Sequence, residues 1–400
     1  MAPHSIVRSP RCRVSSTATP TKGAMEVMVT SREDSATVAE VVLGVDTHLK
    51  LHVAVALDQL GRRLGELTVP TTATGYESLV SWAEGFGPVR CASVEGTGSY
   101  GAGLTRHFEA AGIPVMEVER PKRRHLWRNG KSDPLDAEAA ARAVLAGEAA
   151  GVPKSGSGRV EMIRALRAAR HSAVKARSQA ANQLQGLLVT APETLRCHLR
   201  GFSTKELVTV AARFRPGSAP GDVQTATKFA LRSVARRYQH LSEEINELDE
   251  QLGRLVAEAA PGLVSLPAIG TDHAATLLVV AGDNLERLGS EASFASLCGV
   301  SPIEASSGKV VWHRLNRGGN REANRALHLI CVVRMARDQR TKEYVCRRTA
   351  EGKSKREIMR CLKRYIAREV YRVLASVAVG SPPTTLSRGA PWLRQLSFRP

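Results

Sequence analysis

Between residues 41 and 118, short apolar runs, turns and amphipathic segments follow one another in an order that few folds accept. Three strands with brief connections are predicted first, over 41–46, 51–58 and 63–70, because apolar residues dominate or alternate there. Two helix–strand pairs follow, with helices at 75–85 and 100–111 and strands at 91–95 and 113–118. This order predicts one mixed α/β domain built on five strands.

That order is the one of the ribonuclease-H-like fold, in which the first and fourth strands lie side by side. Asp46 ends the first of these strands and Glu95 ends the fourth. Asp133 and Asp136 lie three residues apart at the start of an Ala-rich segment, so they share one helical face. Pro134 just inside this helix fits Asp133 as the N-cap. We therefore expect four carboxylates at one point.

Carboxylates that converge without a neutralising partner suit a hard divalent cation, and the sequence therefore predicts a site for Mg²⁺ (or Mn²⁺). Two such ions in a site of this kind activate the attacking oxygen and stabilise the leaving one in phosphoryl transfer. Each acid alone has a simpler explanation, because acids favour helix starts and strand-end turns. The four together favour the metal site.

The basic residues are unevenly distributed. The chain has 57 Lys and Arg against 38 Asp and Glu, a formal net charge of +19, which indicates a polyanionic partner such as DNA. Residues 41–150 hold 12 basic and 13 acidic residues, whereas 309–372 hold 19 and 6. One part of the chain is thus predicted to bind metal and another the phosphate backbone. A protein with a basic surface and no such partner remains the alternative.

Cysteine and hydropathy patterns predict the compartment. Seven cysteines without a Cys-x-x-Cys pair give neither a zinc site nor a disulfide framework, so we expect a cytoplasmic, nucleoid-associated protein. No stretch approaches a membrane span, and no membrane partner is expected. Residues 1–38 are predicted to be a disordered tail, and 379–400 a second tail.

A helical region is predicted after a Gly/Ser/Pro-rich linker at 151–158. One helix runs from Arg159 to about Val189, and a second begins near Thr225, after a Pro/Gly break at 216–221. The second helix has a seam with 3-4 spacing, formed by Tyr238, Leu241, Ile245, Leu248, Leu252 and Leu255. This pattern predicts an antiparallel hairpin with a coiled-coil seam. The seam serves either oligomerisation or packing within one chain.

Two loops in the last third of the chain are candidates for nucleic-acid chemistry. The segment Leu266–Gly270 resembles the turn of helix-hairpin-helix modules, which bind phosphate through turn amides, although a plain helix–helix turn is the alternative. Ser307 precedes Gly308 in a polar loop and is a candidate nucleophile for a phosphodiester. Ser-Gly turns are ordinary, however, and the residues alone favour a structural serine. The residues predicted to bind nucleic acid are Lys131, Lys309, Arg314, Arg317, Arg321 and Arg325.

Several motifs together resemble the DEDD transposases of the insertion-sequence-one-ten family over about residues 41 to 375. The motifs are Gly44–Lys50, Glu95–Tyr100, Lys131–Ala137, Leu266–Gly270, Ser307–Lys309 and Asn316–Asn320. The resemblance implies a RuvC-like DEDD domain (39–150), a helical linker and coiled-coil arm (151–258) and a mainly α C-terminal transposase domain (259–378).

The resemblance also implies a mechanism. In this family a noncoding bridge RNA pairs with donor and target DNA, and a serine of the C-terminal domain joins covalently to DNA. The DEDD carboxylates, here Asp46, Glu95, Asp133 and Asp136, bind the metal. The serine maps to Ser307, with Ser306 beside it as the alternative. A homo-oligomer, dimer or tetramer, is expected.

Two other classes of protein fit part of the pattern. A Holliday-junction-type endonuclease needs only the acidic quartet and the basic region, and leaves Ser307 without a role. A non-catalytic nucleic-acid-binding scaffold is less consistent with the sequence, because four converging acids weaken DNA binding unless a metal neutralises them.

Overall fold

The computed structural model describes residues 40–118, 132–148, 151–217, 221–308 and 310–378. The two predicted tails, and the predicted nucleic-acid ligands Lys131 and Lys309, lie outside the described residues. Within these ranges the chain forms no helix with both the length and the apolar content needed to cross a membrane.

A five-stranded sheet with order β3-β2-β1-β4-β5 organises the N-terminal part. Its strands are β1 (Val41–Thr47), β2 (Leu51–Leu57), β3 (Arg63–Pro70), β4 (Val89–Glu95) and β5 (Val115–Val118). The first three strands are antiparallel neighbours, whereas β4 is parallel to β1 and β5 is parallel to β4. The prediction that the first and fourth strands are adjacent is confirmed. Val45 pairs with Val94, so Asp46 and Glu95 follow at the same level.

Helices cover both faces of this sheet, and the alternation along β1 decides which side chain meets which helix. The helices are α1 (Ala73–Glu84), α2 (Ala102–Ala110) and α3 (Asp133–Leu145). Leu43 and its odd-numbered neighbours on β1 pack with Leu79 of α1 and Phe108 of α2. Val42 packs on the opposite face with Ala137 of α3. Asp46 has the parity of Val42, which places its carboxylate on the α3 side.

Gly44 allows α3 to lie directly on the sheet. A Cβ atom at this position would be 1.9 Å from the backbone oxygen of Ala137, which is far closer than a carbon can approach. The facing side chains on α3 are also small, since Ala137, Ala140 and Ala141 are its buried residues. This close packing brings the first turn of α3, with its two acids, beside the end of β1.

Two long helices form the predicted hairpin, and two short helices connect them. The elements are α4 (Arg159–Val189), α5 (Glu193–Leu199), α6 (Thr204–Ala212) and α7 (Val223–Ala259). Ile163 of α4 clusters with Leu252 of α7, and Leu184 of α4 clusters with Leu231 of α7, so the helices are antiparallel. The seam of α7 therefore packs within the chain, which was one of the two expectations.

The C-terminal part is mostly helical, with one short β-hairpin. Its elements are α8 (Pro261–Val264), α9 (Thr271–Ala281), a 3₁₀ turn (Leu285–Leu288), α10 (Glu291–Leu297), β6 (Ile303–Glu304), β7 (His313–Arg314), α11 (Arg321–Arg337), α12 (Gln339–Ala350) and α13 (Lys355–Ala378). Ile163 and Leu252 share one buried cluster with Leu277 of α9, Leu327 of α11 and Ile366 of α13. The foot of the helical hairpin is thus part of the C-terminal core.

The segment at 151–158 that was predicted as a linker is fixed at both ends. The amide of Glu117 donates to the Gly151 oxygen at 2.7 Å, which attaches the segment to β5. Lys154 Nζ donates to the Val279 oxygen at 2.8 Å, and Asn284 Nδ2 donates to the Pro153 oxygen at 2.8 Å. The segment therefore ties the sheet domain to the turn after α9.

Candidate metal centre and serine hairpin

The ends of β1 and β4 are held together beside the candidate metal centre. Asp46 is the sixth residue of β1 and only 9% exposed. The next residue, Thr47, donates its hydroxyl to the Glu95 oxygen at 2.8 Å, a bond between the two strand ends. Ser93 donates in the same way to the Leu43 oxygen at 3.1 Å. The backbone that carries Asp46 and Glu95 is therefore well fixed.

Asp133 and Asp136 occupy the first turn of α3. The N-cap is Ser132, whose backbone is extended (φ −149°, ψ 150°) and whose oxygen accepts from the Asp136 amide at 3.0 Å. The prediction that Asp133 is the N-cap is therefore wrong by one residue. Pro134 is compatible with either start, since it has no amide hydrogen to place and occupies the first turn in both cases.

A histidine that the sequence motifs do not predict as part of the site lies between two of the predicted acids. His48 Nε2 lies 3.3 Å from Asp46 Oδ2 and 3.4 Å from Asp133 Oδ2. Ligand atoms of these three residues all lie within 4.8 Å of one another. The signal available in the sequence was the spacing, because His48 follows Asp46 by two residues. The direction of the His48 side chain depends on the geometry of the β1–β2 turn, which the sequence pattern does not predict.

The electrostatics connect the other two acids to this group. Burial is the main reason that the pKa of Asp46 is raised, and the negative charges of Glu95, Asp133 and Asp136 raise it further. His48 acts in the opposite direction and lowers the pKa of Asp46. Glu95, Asp133 and Asp136 are therefore close enough for their charges to act on Asp46. Only Asp46 and Asp133, with His48, form the close group. A bound cation would relieve the repulsion.

Ser307 lies at the exposed tip of the β6–β7 hairpin. Ser307 and Val310 exchange two backbone hydrogen bonds of 3.1 Å, and Gly308 between them has a φ of 58°, a left-handed conformation that glycine adopts without strain. The Ser306 hydroxyl accepts from the Trp312 amide at 3.1 Å and lies 3.4 Å from the Trp312 oxygen. The Ser307 hydroxyl has no hydrogen-bond partner within the part of the chain that the structure describes. The two adjacent serines therefore differ in the freedom of their hydroxyl groups.

The motif at 316–320 builds the segment that follows this hairpin. Asn316 Nδ2 donates to the Ser296 oxygen at 3.0 Å, and Asn320 caps α11 by accepting from the Glu322 and Ala323 amides. A Cβ atom on Gly319 would be 2.2 Å from the Gly299 nitrogen, so two backbone segments meet here with no room for a side chain. The motif has a clear structural role.

The four arginines predicted to bind nucleic acid share one environment. Arg314, Arg317, Arg321 and Arg325 are all exposed, and none has a carboxylate partner among the described residues. Arg321 and Arg325 lie one turn apart on α11. Their availability agrees with the prediction, and nucleic-acid binding by them stays a prediction.

The turn predicted to resemble a helix-hairpin-helix element lies between α8 and α9. Arg334 Nε donates to the Pro267 oxygen at 2.9 Å, so this turn is anchored by a buried guanidinium group. Asp272 in the first turn of α9 lies 3.4 Å from Arg170 Nη1. These contacts explain the turn as a structural element, and its binding of phosphate stays a prediction.

The comparison with known protein families identifies both ends of this architecture as transposase domains. Residues 43–191 match the DEDD transposase domain of the IS110 (insertion-sequence-one-ten) family, and residues 260–346 match the transposase domain of the IS116/IS110/IS902 family. The chain thus carries both domains of the IS110 family of transposases. The family suggested by the motifs is confirmed.

Individual relatives agree with this assignment. The chain is 33% identical to the uncharacterized 43.6 kDa protein of insertion element IS110 from Streptomyces coelicolor, over 30% of this chain and 31% of that one. It is 25% identical to the uncharacterized 42 kDa protein of IS900 from Mycobacterium paratuberculosis, over 47% and 49%. The transposase for insertion sequence element IS1328 of Yersinia enterocolitica is 27% identical over 58% of this chain and 68% of its own. The matched segments span about a third to two thirds of these relatives.

Proposed function

We propose that this protein is the transposase of an insertion sequence, an enzyme that cuts and rejoins DNA at the ends of its element. The observation that carries the proposal is the meeting of Asp46 and Asp133 at one end of the sheet, with Glu95 and Asp136 close enough to raise the pKa of Asp46. The strand order supports a ribonuclease-H-like, RuvC-like domain, because that fold places a carboxylate on each of two adjacent strands.

The donor atoms fit a divalent cation. Asp46, Glu95, Asp133 and Asp136 offer oxygen ligands, which Mg²⁺ and Mn²⁺ prefer, and the burial of Asp46 fixes one ligand in place. When bound, such an ion supplies a Lewis acid beside the phosphate and neutralises charge that develops there. The protein contributes the fixed strand ends and the rigid first turn of α3.

Ser307 is the proposed nucleophile. Its Oγ attacks phosphorus in a DNA phosphodiester, a Ser–O–P bond forms, and the bond from phosphorus to one deoxyribose oxygen breaks. The seryl proton is lost to solvent or a base, and the leaving oxygen takes up a proton. Attack by the hydroxyl of another strand reverses the step. Phosphodiester energy is conserved in the link, so rejoining needs no ATP. The Ser307 hydroxyl has no hydrogen-bond partner among the residues that the structure describes, whereas the Ser306 hydroxyl contacts Trp312, and this difference supports the choice of Ser307.

The partners of the reaction follow from the family resemblance and from the basic surface. We propose that a bridge RNA guides the enzyme to donor and target DNA and that the protein acts as a dimer or tetramer. The guanidinium groups of Arg314, Arg317, Arg321 and Arg325, which are exposed and pair with no carboxylate in the described ranges, support contacts to nucleic-acid phosphates. We also propose that Lys131 and Lys309 take part in these contacts, and that the protein is cytoplasmic and nucleoid-associated.

A trapped protein–DNA adduct tests the proposed nucleophile. Purified protein is incubated with labelled element-end DNA, Mg²⁺ and the RNA of its own element, and the products are resolved on a denaturing gel. We expect a denaturant-resistant adduct with the wild type and with Ser306→Ala, and none with Ser307→Ala, which still binds DNA and RNA.

The same gel separates this function from its main alternative. Cleavage without any adduct in the wild type would indicate metal-dependent hydrolysis, as in a Holliday-junction endonuclease. An adduct that survives in Ser307→Ala and disappears in Ser306→Ala would move the nucleophile by one residue. Neither cleavage nor adduct, with DNA binding intact, would favour a non-catalytic scaffold.

A further inference from the structure

His48 has an unusual position between two carboxylates that belong to different elements. One ring nitrogen, Nε2, is close to both of them, at 3.3 Å from Asp46 Oδ2 and 3.4 Å from Asp133 Oδ2. An imidazole nitrogen carries at most one hydrogen, so it cannot donate a good hydrogen bond to both oxygens at once. Both distances also exceed the usual range of about 2.7–3.2 Å for an N–H···O hydrogen bond. The ring nitrogen is therefore shared between the two carboxylates and makes a short hydrogen bond to neither.

The imidazole nitrogen lies from each carboxylate oxygen at close to the distance that separates two ligands of one cation. A divalent ion binds imidazole nitrogen and carboxylate oxygen at about 2.0–2.2 Å. Ligands at such distances lie about 3.0 Å apart in octahedral geometry and about 3.4 Å apart in tetrahedral geometry. The separations of 3.3 and 3.4 Å between Nε2 and the two oxygens slightly exceed the octahedral spacing that Mn²⁺ and Mg²⁺ adopt, and rotation of the half-exposed imidazole can close this difference.

The backbone delivers His48 to this point. Its amide donates to the Leu51 oxygen at 3.1 Å and closes the turn between β1 and β2. The preceding residue, Thr47, is buried and bonded to the Glu95 oxygen at 2.8 Å. The imidazole, by contrast, is 52% exposed and can adjust to a bound ion. A fixed backbone with an accessible ring is a suitable arrangement for a metal ligand.

We propose that His48 Nε2 joins Asp46 and Asp133 as a ligand of the bound divalent ion, so that this site holds Mn²⁺ or a similar transition-metal ion more tightly than Mg²⁺. The inference rests on the proposed metal-dependent function and adds a nitrogen ligand to the DEDD set. Nitrogen matters because Mn²⁺, although it also binds oxygen well, accepts an imidazole ligand more readily than Mg²⁺, which strongly prefers oxygen.

Electron spin-echo spectroscopy of bound Mn²⁺ tests the ligand directly. The full chain, without nucleic acid, is loaded with one equivalent of Mn²⁺ and examined for coupling to ¹⁴N. Binding of Mn²⁺ and of Mg²⁺ is measured in parallel by titration. We expect ¹⁴N coupling in the wild type, and a change to the ¹⁵N pattern in protein labelled with ¹⁵N-histidine.

Two histidine variants locate the nitrogen. His48→Ala should lose the coupling and bind Mn²⁺ about tenfold or more weakly, with a smaller change for Mg²⁺. His171→Ala, which removes another exposed histidine on α4, should match the wild type. Coupling that is absent from the wild type, or that persists in His48→Ala, would overturn the proposal. Equal losses for both metals would overturn the claimed preference.

Asp46→Asn keeps this result separate from the test of the proposed function. If it abolishes Mn²⁺ binding and the wild-type spectrum lacks nitrogen coupling, the carboxylate site stands and His48 is only its counter-ion in the metal-free protein. If Asp46→Asn binds Mn²⁺ as tightly as the wild type, the metal lies elsewhere and the site itself is wrong. Circular dichroism of each variant establishes that the protein is folded.

Discussion

At the scale of single residues, the Asp46 carboxyl group is buried at the end of β1 and faces three other acids. Burial and these charges hold its pKa above the ordinary value. A raised pKa in the folded state means that Asp46 contributes stability below its unfolded pKa, and that this contribution is lost as the pH rises through the folded pKa. The ionised Asp46 carboxylate should therefore lower the stability of the metal-free protein at neutral pH.

We expect Asp46→Asn to melt a few degrees higher than the wild type in EDTA at neutral pH, because it removes a buried and repelled charge. This advantage should shrink at acid pH, where the wild-type carboxyl is protonated. Thermal melts from pH 4 to 8 measure it. Asp58→Asn is the matched control with the opposite sign, since the Arg62 amide and guanidinium hold the pKa of Asp58 low. Similar shifts in both variants would contradict this account.

The catalytic prediction also belongs to this scale. Replacing Asp46, Glu95, Asp133 or Asp136 by Ala should each lower recombination by about a hundredfold or more, with the fold retained, because each removes a ligand charge. Glu138→Ala is the control: it lies on the same helix but pairs with Arg142 at 2.7 Å. A recombination assay with each purified, folded variant measures this effect. A quartet variant with full activity would remove that residue from the site.

Two features of this site could be predicted from the sequence. Asp46 and Glu95 each end an apolar run, and parallel strands bring their ends to one edge of a sheet. The signals of a helix start predict that Asp133 and Asp136 lie on one face of its first turn. His48 could not be predicted, because it follows Thr47, the last paired residue of β1, and lies in a turn closed by one backbone hydrogen bond to Leu51. The distinction between Ser306 and Ser307 likewise depends on the hairpin contact with Trp312.

At the scale of elements, the approach of α3 to β1 depends on Gly44. We expect Gly44→Ala to destabilise the protein by about 1–3 kcal/mol, because its Cβ must displace the Ala137 backbone. The same displacement moves Asp133 from Asp46 and should weaken Mn²⁺ binding. Denaturant unfolding and metal titration measure the two effects.

Gly186→Ala is the control for this variant. Gly186 lies within α4, and an added Cβ meets nothing within 4 Å, so alanine there should be neutral or slightly stabilising. Unchanged metal affinity in a destabilised Gly44→Ala protein would show that α3 does not position the site.

The long helices were predictable as elements and the short ones were not. The first long helix covers the predicted span from Arg159 to Val189, because its helix-forming residues extend over many turns. The helices α5 and α6 have seven and nine residues, which are too few to show a clear helical periodicity of apolar residues. The sequence between the long helices therefore predicts only a Pro/Gly break. The seam on α7 could not distinguish packing on α4 from packing on a second chain.

At the scale of the whole molecule, the excess of basic residues near the C-terminus overstates the charge available to DNA. Arg334 is buried and bonded to Glu369, and Arg364 and Arg368 both contact Glu291. These guanidinium groups hold α10, α11 and α13 together. Sequence counting cannot separate such internal pairs from surface charge, because pairing depends on tertiary contacts.

The exposed arginines that pair with no carboxylate in the described part of the chain provide the prediction at this scale. The double variant Arg321→Ala/Arg325→Ala should bind nucleic acid more weakly, and its log–log salt slope should fall in magnitude by about 2, since each phosphate contact contributes about 0.9. Arg254→Ala, an exposed residue paired with Glu250 on α7, should leave the slope unchanged. Filter binding over a range of about 50–200 mM salt measures the slopes. An unchanged slope in the double variant would place the contact elsewhere.

The α7 helix has a mechanical consequence. Its 37 residues give a rod about 55 Å long, and the foot of that rod is buried in the core that contains α11. Neither α4 nor α7 has a loop between its tip-side half and that core, so no joint is available to absorb movement. A partner bound at the tip therefore acts with a long lever arm on the domain that carries Ser307, and a small tilt of the helix would move this proposed nucleophile.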